Sequence, residues 1–111
     1  MKILLVDDDD FLRDMYATKF TEHGDTVVGA ATGQDALQHL STDVFDVIIM
    51  DMVMPGMSGT QLLGAIRGIE SAKDTKCIVL SNQGEEEDIE AMKDAGAVGY
   101  IIKKIVASGV A

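Results

Sequence analysis

The sequence predicts a doubly wound α/β domain, in which parallel strands alternate with helices that cover both faces of one sheet. Five short apolar runs recur along the chain, and segments with helical spacing of apolar residues lie between them. The runs are almost continuously apolar, which is typical of strands buried on both faces. Strands that alternate with helices form parallel βαβ units. We therefore expect a (βα)5 sheet with strand order 2-1-3-4-5.

Each element has its own signal in the chain. The predicted strands are the apolar runs Ile3–Val6, Val27–Ala31, Val44–Met50 (interrupted by Asp46), Cys77–Leu80 and Gly99–Ile102. The predicted helices are marked by apolar residues at helical spacing: Phe11, Met15 and Phe20; Ala36, Leu37 and Leu40; Leu62, Leu63, Ile66 and Ile69; and Ile89 and Met92 up to Ala95. Breaks in the chain separate these elements at Gly24, at Pro55 and Gly56, and at Gly96.

The last segment, residues 105–111, is a poor candidate for a fifth helix. It is uncharged, it contains Gly109, and it would span only about 10 Å even if it were fully helical. We expect a short or incomplete fifth helix that leaves apolar surface uncovered. The chain could recover that burial by repacking its own apolar residues or by docking other residues, but we favour self-association through this edge.

Length and composition exclude several classes of protein. The chain has 111 residues, which predicts a single domain over residues 1–111. Nine basic residues against 19 acidic ones give a net charge of -10, which argues against direct binding to nucleic acid or anionic lipid. The single cysteine, Cys77, cannot form an internal disulfide, and no apolar run approaches the roughly 18 residues of a membrane span. We expect a cytoplasmic protein without membrane insertion.

Charged and polar residues follow the predicted strands at the edge where ligands bind in open α/β sheets. Asp7 and Asp8 follow the first strand, Asp51 the third, Ser81 the fourth and Lys103 the fifth. The order 2-1-3-4-5 brings three carboxylates together, and each like-charge pair about 4 Å apart costs about 4 kcal/mol at an effective dielectric of 20. A hard divalent cation such as Mg²⁺ would relieve this repulsion.

This set of groups indicates phosphoryl transfer. Asp51 is the central acid and our candidate nucleophile, while Lys103 supplies a fixed positive charge and Ser81 a hydroxyl group. Catalysis of phosphoryl transfer consists mainly of positioning and charge neutralisation, which these groups supply together with Mg²⁺. Of the remaining acids in the first run, Asp9 or Asp10 is expected to cap the first helix.

Four segments of the chain together resemble the response-regulator receiver domain, and in particular receivers of the chemotaxis type. The resemblance covers residues 2 to 104. The segments that carry it are Ile3–Asp9 with Arg13 following, Asp46–Gly59, Ile78–Ser81, and Ala95–Ala97 leading to Tyr100–Lys103. The resemblance implies a flavodoxin-like fold and a signalling switch of a two-component system, whose partner is a histidine kinase.

The resemblance also implies a role for each site residue. Asp51 would accept the phosphoryl group from the kinase. Asp8, Asp51 and the backbone carbonyl of Val53 would bind Mg²⁺, with Asp7 helping through water. Ser81 and Lys103 would contact the phosphoryl group.

Activation would involve a rotamer change of one aromatic residue, Tyr100, after Ser81 moves toward the phosphoryl group.

The downstream partner or output domain cannot be named from the sequence. The chain is expected to be a phosphoacceptor with at most slow self-dephosphorylation rather than a turnover enzyme, because apolar Val53 cannot orient an attacking water. Lys104 stands where the family commonly has proline, and Asn82 where it usually has a small residue.

Two other functions remain open at this point. A dehalogenase-like Mg²⁺ phosphatase would use Asp8 and Asp10 as an Asp-x-Asp pair, with the segment Leu80–Asn82 as its second motif. Such enzymes normally have further metal-binding acids beyond the lysine, and this reading gives no role to Asp51. The third possibility is a receiver-shaped interaction module that never receives a phosphoryl group.

Overall fold

The computed structural model describes residues 1–51, 56–81 and 99–102 of the chain. All five predicted strands are confirmed, with shifts of a few residues at some ends. The predicted helix over Ile89–Ala95 and the weak fifth helix, with the self-association inferred from it, lie outside the described residues. The elements are β1 (Lys2–Val6), α1 (Asp10–Glu22), β2 (Thr26–Ala30), α2 (Gly33–Thr42), β3 (Val47–Asp51), α3 (Gly59–Arg67), β4 (Lys76–Ser81) and β5 (Gly99–Ile102).

The strands form one parallel sheet in the order β2-β1-β3-β4-β5, which confirms the predicted order. β1 and β3 are neighbours at its centre, and Val6 of β1 is in register with Met50 of β3. The residues that follow this pair, Asp7 after β1 and Asp51 at the end of β3, therefore lie at the same level. The register brings the two acids to one edge.

The core has two parts, one on each face of the sheet. Leu4 and Val6 of β1 belong to the cluster that includes buried residues of α2 and α3. Ile3 and Leu5 belong to the cluster that includes Tyr16 of α1. Successive residues of a strand point to opposite faces, so β1 supplies both clusters. This arrangement confirms the doubly wound architecture.

Side-chain caps fix where the described helices begin. The Asp9 carboxylate accepts a hydrogen bond from the Leu12 amide at 3.1 Å, which confirms Asp9 as the N-cap of α1. Thr32 caps α2 in the same way, and Ser58 forms a capping box with Gln61 at the start of α3. These caps begin the helices directly after the loops at the carboxyl edge of the sheet.

Two boundaries in the sequence prediction are wrong, and one residue that marks a predicted helix is exposed. Phe11 lies in the first turn of α1 and is 74% exposed, while Leu12, Met15 and Tyr16 face the sheet. Val44 is 62% exposed and precedes β3, which begins only at Val47. Ile69 packs against the core from the turn after α3 rather than from the helix itself.

None of the helices within the described ranges has the length and apolarity needed to span a bilayer.

Candidate functional site

Three carboxylates meet at the carboxyl edge of the sheet. Asp7 and Asp8 follow β1, Asp51 ends β3, and one ligand oxygen from each lies within 4.8 Å of the others. Asp7 is fully buried and Asp51 is 6% exposed, whereas Asp8 is exposed. The cluster therefore opens to solvent on the side of Asp8. Within the described part of the chain it is the only such grouping of three potential metal-ligating side chains.

The backbone around Asp7 holds this arrangement in place. The Asp7 amide donates to the carbonyl oxygen of Ala30 at 3.0 Å and so continues the pairing of β1 with β2. The Asp7 carboxylate accepts a hydrogen bond from the Asp9 amide at 2.9 Å. The first bond extends the strand pairing to Asp7, and the second closes a bend at Asp8 between β1 and α1.

The donor set fits a small, hard divalent cation. Mg²⁺ prefers carboxylate and water oxygens at about 2.0–2.1 Å in octahedral geometry, so adjacent oxygen ligands lie about 3 Å apart and opposite ones about 4 Å apart. Oxygens within 4.8 Å of one another can therefore be bridged by one ion, either directly or through a bound water. The proximity of three carboxylates also favours a cation on electrostatic grounds.

Two other predicted site residues, Ser81 and Tyr100, belong to strands β4 and β5. Ser81 ends β4 and lies in register with Ile102 of β5, one residue before Lys103. Tyr100 lies in β5 in register with Val79. Ser81 and Ile102, the residue before Lys103, therefore end their strands at the same edge of the sheet as Asp51. Lys103 itself and Val53, with its backbone carbonyl, lie outside the described residues.

Three other potential metal ligands among the described residues have different surroundings. Asp10 is outside the cluster: its carboxylate is 83% exposed and pairs with Arg13 at 2.6 Å. His39 lies on α2, 3.7 Å from Asp35. Cys77 is buried, and that burial raises the pKa of its thiol. None of these three side chains belongs to the acid cluster.

Sequence reasoning gave no separate role to Arg13 or to Gly29. The Arg13 guanidinium donates to the carbonyl oxygen of Asp7 at 2.7 Å, and its stem lies over Gly29 of β2. Two signals were available: an arginine one turn into α1 after an acidic run, and a glycine inside a predicted strand, which often marks a close approach of another group. Neither signal alone identifies the contact.

Comparison with known proteins agrees with this geometry. The chain matches the response regulator receiver domain family over residues 3–109. It is 33% identical to the chemotaxis protein CheY of Pseudomonas aeruginosa over 108 residues, which are 96% of this chain and 87% of that protein.

Solved structures show the same likeness. The chemotaxis protein CheY4 of Vibrio cholerae superimposes with a TM-score of 0.88 at 30% identity, covering 98% of this chain and 94% of that one. A receiver domain of a sensor histidine kinase from Pseudomonas aeruginosa, with a magnesium ion coordinated in its active site cleft, gives 0.84 at 26% identity, covering 92% and 84%. The strand order of the sheet is that of a receiver fold, and the family match covers almost the whole chain. Together they identify the chain as a member of the response regulator receiver domain family of two-component signalling.

Proposed function

We propose that this receiver domain is a phosphorylation-dependent switch, in which Asp51 accepts a phosphoryl group from a phosphohistidine of a histidine kinase. The observation that carries the proposal is the acid cluster, because it joins a strand-end carboxylate to two further acids within 4.8 Å. A carboxylate can act as the nucleophile when its charge and that of the incoming phosphoryl group are neutralised.

Asp8 and Asp51, with the backbone carbonyl of Val53, would hold Mg²⁺, and Asp7 would orient a bound water. Mg²⁺ neutralises negative charge on the phosphoryl oxygens during transfer. Asp7 suits an indirect role because it is fully buried and already accepts a hydrogen bond from the Asp9 amide. Asp8 is exposed and is therefore the acid through which the ion enters from solvent.

Asp51 reacts at a carboxylate oxygen. A new P–O bond forms to Asp51 while the P–N bond of the phosphoimidazole breaks and its electron pair returns to the imidazole nitrogen. The acid is held at the end of a central strand and is only 6% exposed, which limits the positions from which water can attack the acyl phosphate. Lys103 would pair with the phosphoryl oxygens and thereby neutralise part of their charge.

The signal would pass through β4 and β5. The Ser81 hydroxyl would donate a hydrogen bond to the phosphoryl group, and Tyr100 would change rotamer as Ser81 moves toward that group. Ser81 and Tyr100 belong to neighbouring paired strands, which supports this coupling. The net charge of -10 favours a protein rather than nucleic acid as the downstream partner, and such phosphotransfer is expected in the cytoplasm.

A phosphatase that uses Asp8 and Asp10 is disfavoured by the position of Asp10. Its carboxylate is 83% exposed and pairs with Arg13 instead of joining the cluster. A receiver-shaped module that never receives a phosphoryl group has the same fold, so it must be separated by experiment.

Beryllofluoride with Mg²⁺ separates the three functions, because it forms a stable mimic of an acyl phosphate on a carboxylate. We expect it to shift backbone amide resonances around Asp51 in the wild-type protein, and to leave Asp51→Asn unchanged. Asp9→Asn is the matched control: it also removes one charge, lies outside the cluster and keeps a good N-cap. Binding at Asp8 would indicate the phosphatase, and no binding would indicate the interaction module.

A further inference from the structure

We propose that Arg13 is a positioning residue for the metal site, and that Gly29 keeps open the space that Arg13 needs. The inference rests on the proposed function of the acid cluster as a Mg²⁺ site.

Arg13 ties the turn after β1 to the start of α1. Its Nη1 donates to the carbonyl oxygen of Asp7 at 2.7 Å, and its Nη2 donates to the Asp10 carboxylate at 2.6 Å. The Arg13 side chain is 19% exposed, whereas Asp10 is 83% exposed. The bond to the Asp7 carbonyl is therefore the shielded one, and an exposed ion pair such as that with Asp10 contributes little by itself.

That bond acts on the metal ligands through the backbone. The carbonyl of Asp7 belongs to the peptide unit that leads to Asp8, so a fixed carbonyl fixes the direction in which Asp8 leaves the strand. The Asp7 carboxylate is held separately by the Asp9 amide at 2.9 Å. Arg13 and the Asp9 amide thus hold the turn from its two sides.

Gly29 explains why Arg13 can lie where it does. A Cβ built on Gly29 would lie 3.2 Å from Cδ and 3.4 Å from Nε of Arg13. The first distance is tighter than nine in ten Cβ contacts, so a side chain at position 29 would displace the Arg13 stem by a few tenths of an ångström. Glycine inside a strand weakens the strand, and it is typical of a site where another group approaches closely. The stem of Arg13 lies directly beside the position that a Cβ of residue 29 would take, so a larger side chain there would push it away.

The charge of Arg13 and its position predict opposite effects of its removal on the affinity for Mg²⁺. As a cation near three carboxylates, Arg13 would repel a second cation, so its removal would tighten binding. As an outer-shell partner that orients the ligands, its removal would weaken binding, typically by about 10-fold to 100-fold. We expect the positional effect to dominate, because the carboxylates bind only when Asp8 stands close to Asp51.

Mg²⁺ titration by calorimetry of three variants separates the two effects. Arg13→Lys keeps the charge, Arg13→Gln removes it, and Gly29→Val leaves the charge unchanged while displacing the Arg13 stem. We expect all three to weaken Mg²⁺ binding by about 10-fold, and Gly29→Val to add nothing in the Arg13→Gln background. Tighter or unchanged binding in Arg13→Gln, or unchanged binding in Arg13→Lys, would overturn the proposal.

Arg67 provides the matched control. Its Nη1 donates to the carbonyl oxygens of Lys73 and Thr75, at 2.8 Å each, in the turn between α3 and β4. Arg67→Lys and Arg67→Gln should lower stability but leave the Mg²⁺ affinity within about twofold of the wild-type value. If these variants weakened Mg²⁺ binding as much as the Arg13 variants, the Arg13 effect would be a general loss of stability and the proposal would fail.

Amide hydrogen exchange of the metal-free protein gives a readout that does not depend on Mg²⁺. The Asp9 amide should exchange faster in Arg13→Lys and Gly29→Val than in the wild type, while amides of α3 keep their protection. Unchanged exchange at Asp9 would overturn the proposal. Absence of Mg²⁺ binding in the wild-type protein would instead overturn the proposed function, and the exchange rates would still decide whether Arg13 holds the turn.

Discussion

Asp7 and Asp51 stand level at the ends of the neighbouring strands β1 and β3, because Val6 pairs with Met50 directly before them. Their carboxylate oxygens lie within 4.8 Å of each other. Both side chains are buried, at 0% and 6% exposure. Two like charges this close repel even where water screens them, so the fold places its acids where a cation stabilises the native state.

Asp51→Asn should therefore raise the stability of the metal-free protein. Removal of one of three crowded charges should add on the order of 1 kcal/mol to the free energy of unfolding, which raises the melting temperature by roughly 4 °C. Thermal unfolding in the presence of a chelator measures this. Asp14→Asn, on the exposed face of α1, is the control and should change little. A lower melting temperature for Asp51→Asn would count against the electrostatic account.

Mg²⁺ should stabilise the wild-type protein by mass action. A ligand at 100 times its dissociation constant adds about 2.7 kcal/mol to the stability of the state that binds it. Asp8→Asn should lose most of this gain, whereas Asp9→Asn should keep it, because Asp9 caps α1 and lies outside the cluster. Melting curves across a Mg²⁺ series test the pair, and equal gains in both variants would remove Asp8 from the site.

Two glycines should respond to alanine in opposite directions. A Cβ on Gly64 of α3 meets nothing within 4 Å, so Gly64→Ala should stabilise the protein by about 0.5–1 kcal/mol. A Cβ on Gly33 would lie 2.7 Å from Sδ and 3.1 Å from Cβ of Met57, so Gly33→Ala should destabilise it by about 1–3 kcal/mol. Urea unfolding measures both variants. Stabilisation by Gly33→Ala would show that Met57 moves aside without cost.

The buried thiol of Cys77 should make stability depend on alkaline pH. Burial disfavours the thiolate and raises the pKa of this thiol in the folded protein. Above about pH 8.5 the unfolded chain therefore loses the proton first, and stability falls as pH rises toward the folded pKa. The difference in unfolding free energy between the wild type and Cys77→Ala should shrink over this range. The range from about pH 7 to about pH 10 brackets the ordinary thiol pKa of about 8.5. A constant difference in unfolding free energy across that range would contradict the prediction.

The order of elements was predictable because both faces of the sheet are buried, so each strand appears in the sequence as a short apolar run. The acid cluster was predictable for a related reason: parallel strands place their carboxyl ends at one edge, so Asp7, Asp8 and Asp51 converge once the strand order is known. Fold and cluster therefore follow from pattern and topology alone.

The contacts that depend on three-dimensional packing were not predictable in this way. Phe11 has the hydrophobicity of a core residue, but rotation of α1 turns Leu12 and Tyr16 toward the sheet instead. The bond from Arg13 to the Asp7 carbonyl joins a side chain to a backbone atom, and no sequence pattern distinguishes it from an exposed arginine.

The lifetime of the phosphoryl group should depend on Val53. An apolar side chain two residues after Asp51 cannot orient an attacking water, so we expect Val53→Asn to accelerate dephosphorylation. Loss of label from the phosphorylated protein after removal of the phosphodonor measures the rate. An unchanged rate in Val53→Asn would show that the residue two positions after Asp51 does not control access of water.

The most direct test of the switch is to locate the phosphoryl group after treatment with acetyl phosphate and Mg²⁺. Borohydride reduction converts an aspartyl phosphate to homoserine, which peptide mapping then assigns to one position. We predict modification at Asp51 in the wild-type protein, none in the folded Asp51→Asn variant, and none without Mg²⁺. Label on Asp8, or label at the wild-type level in Asp51→Asn, would contradict the assignment of Asp51 as the phosphoacceptor.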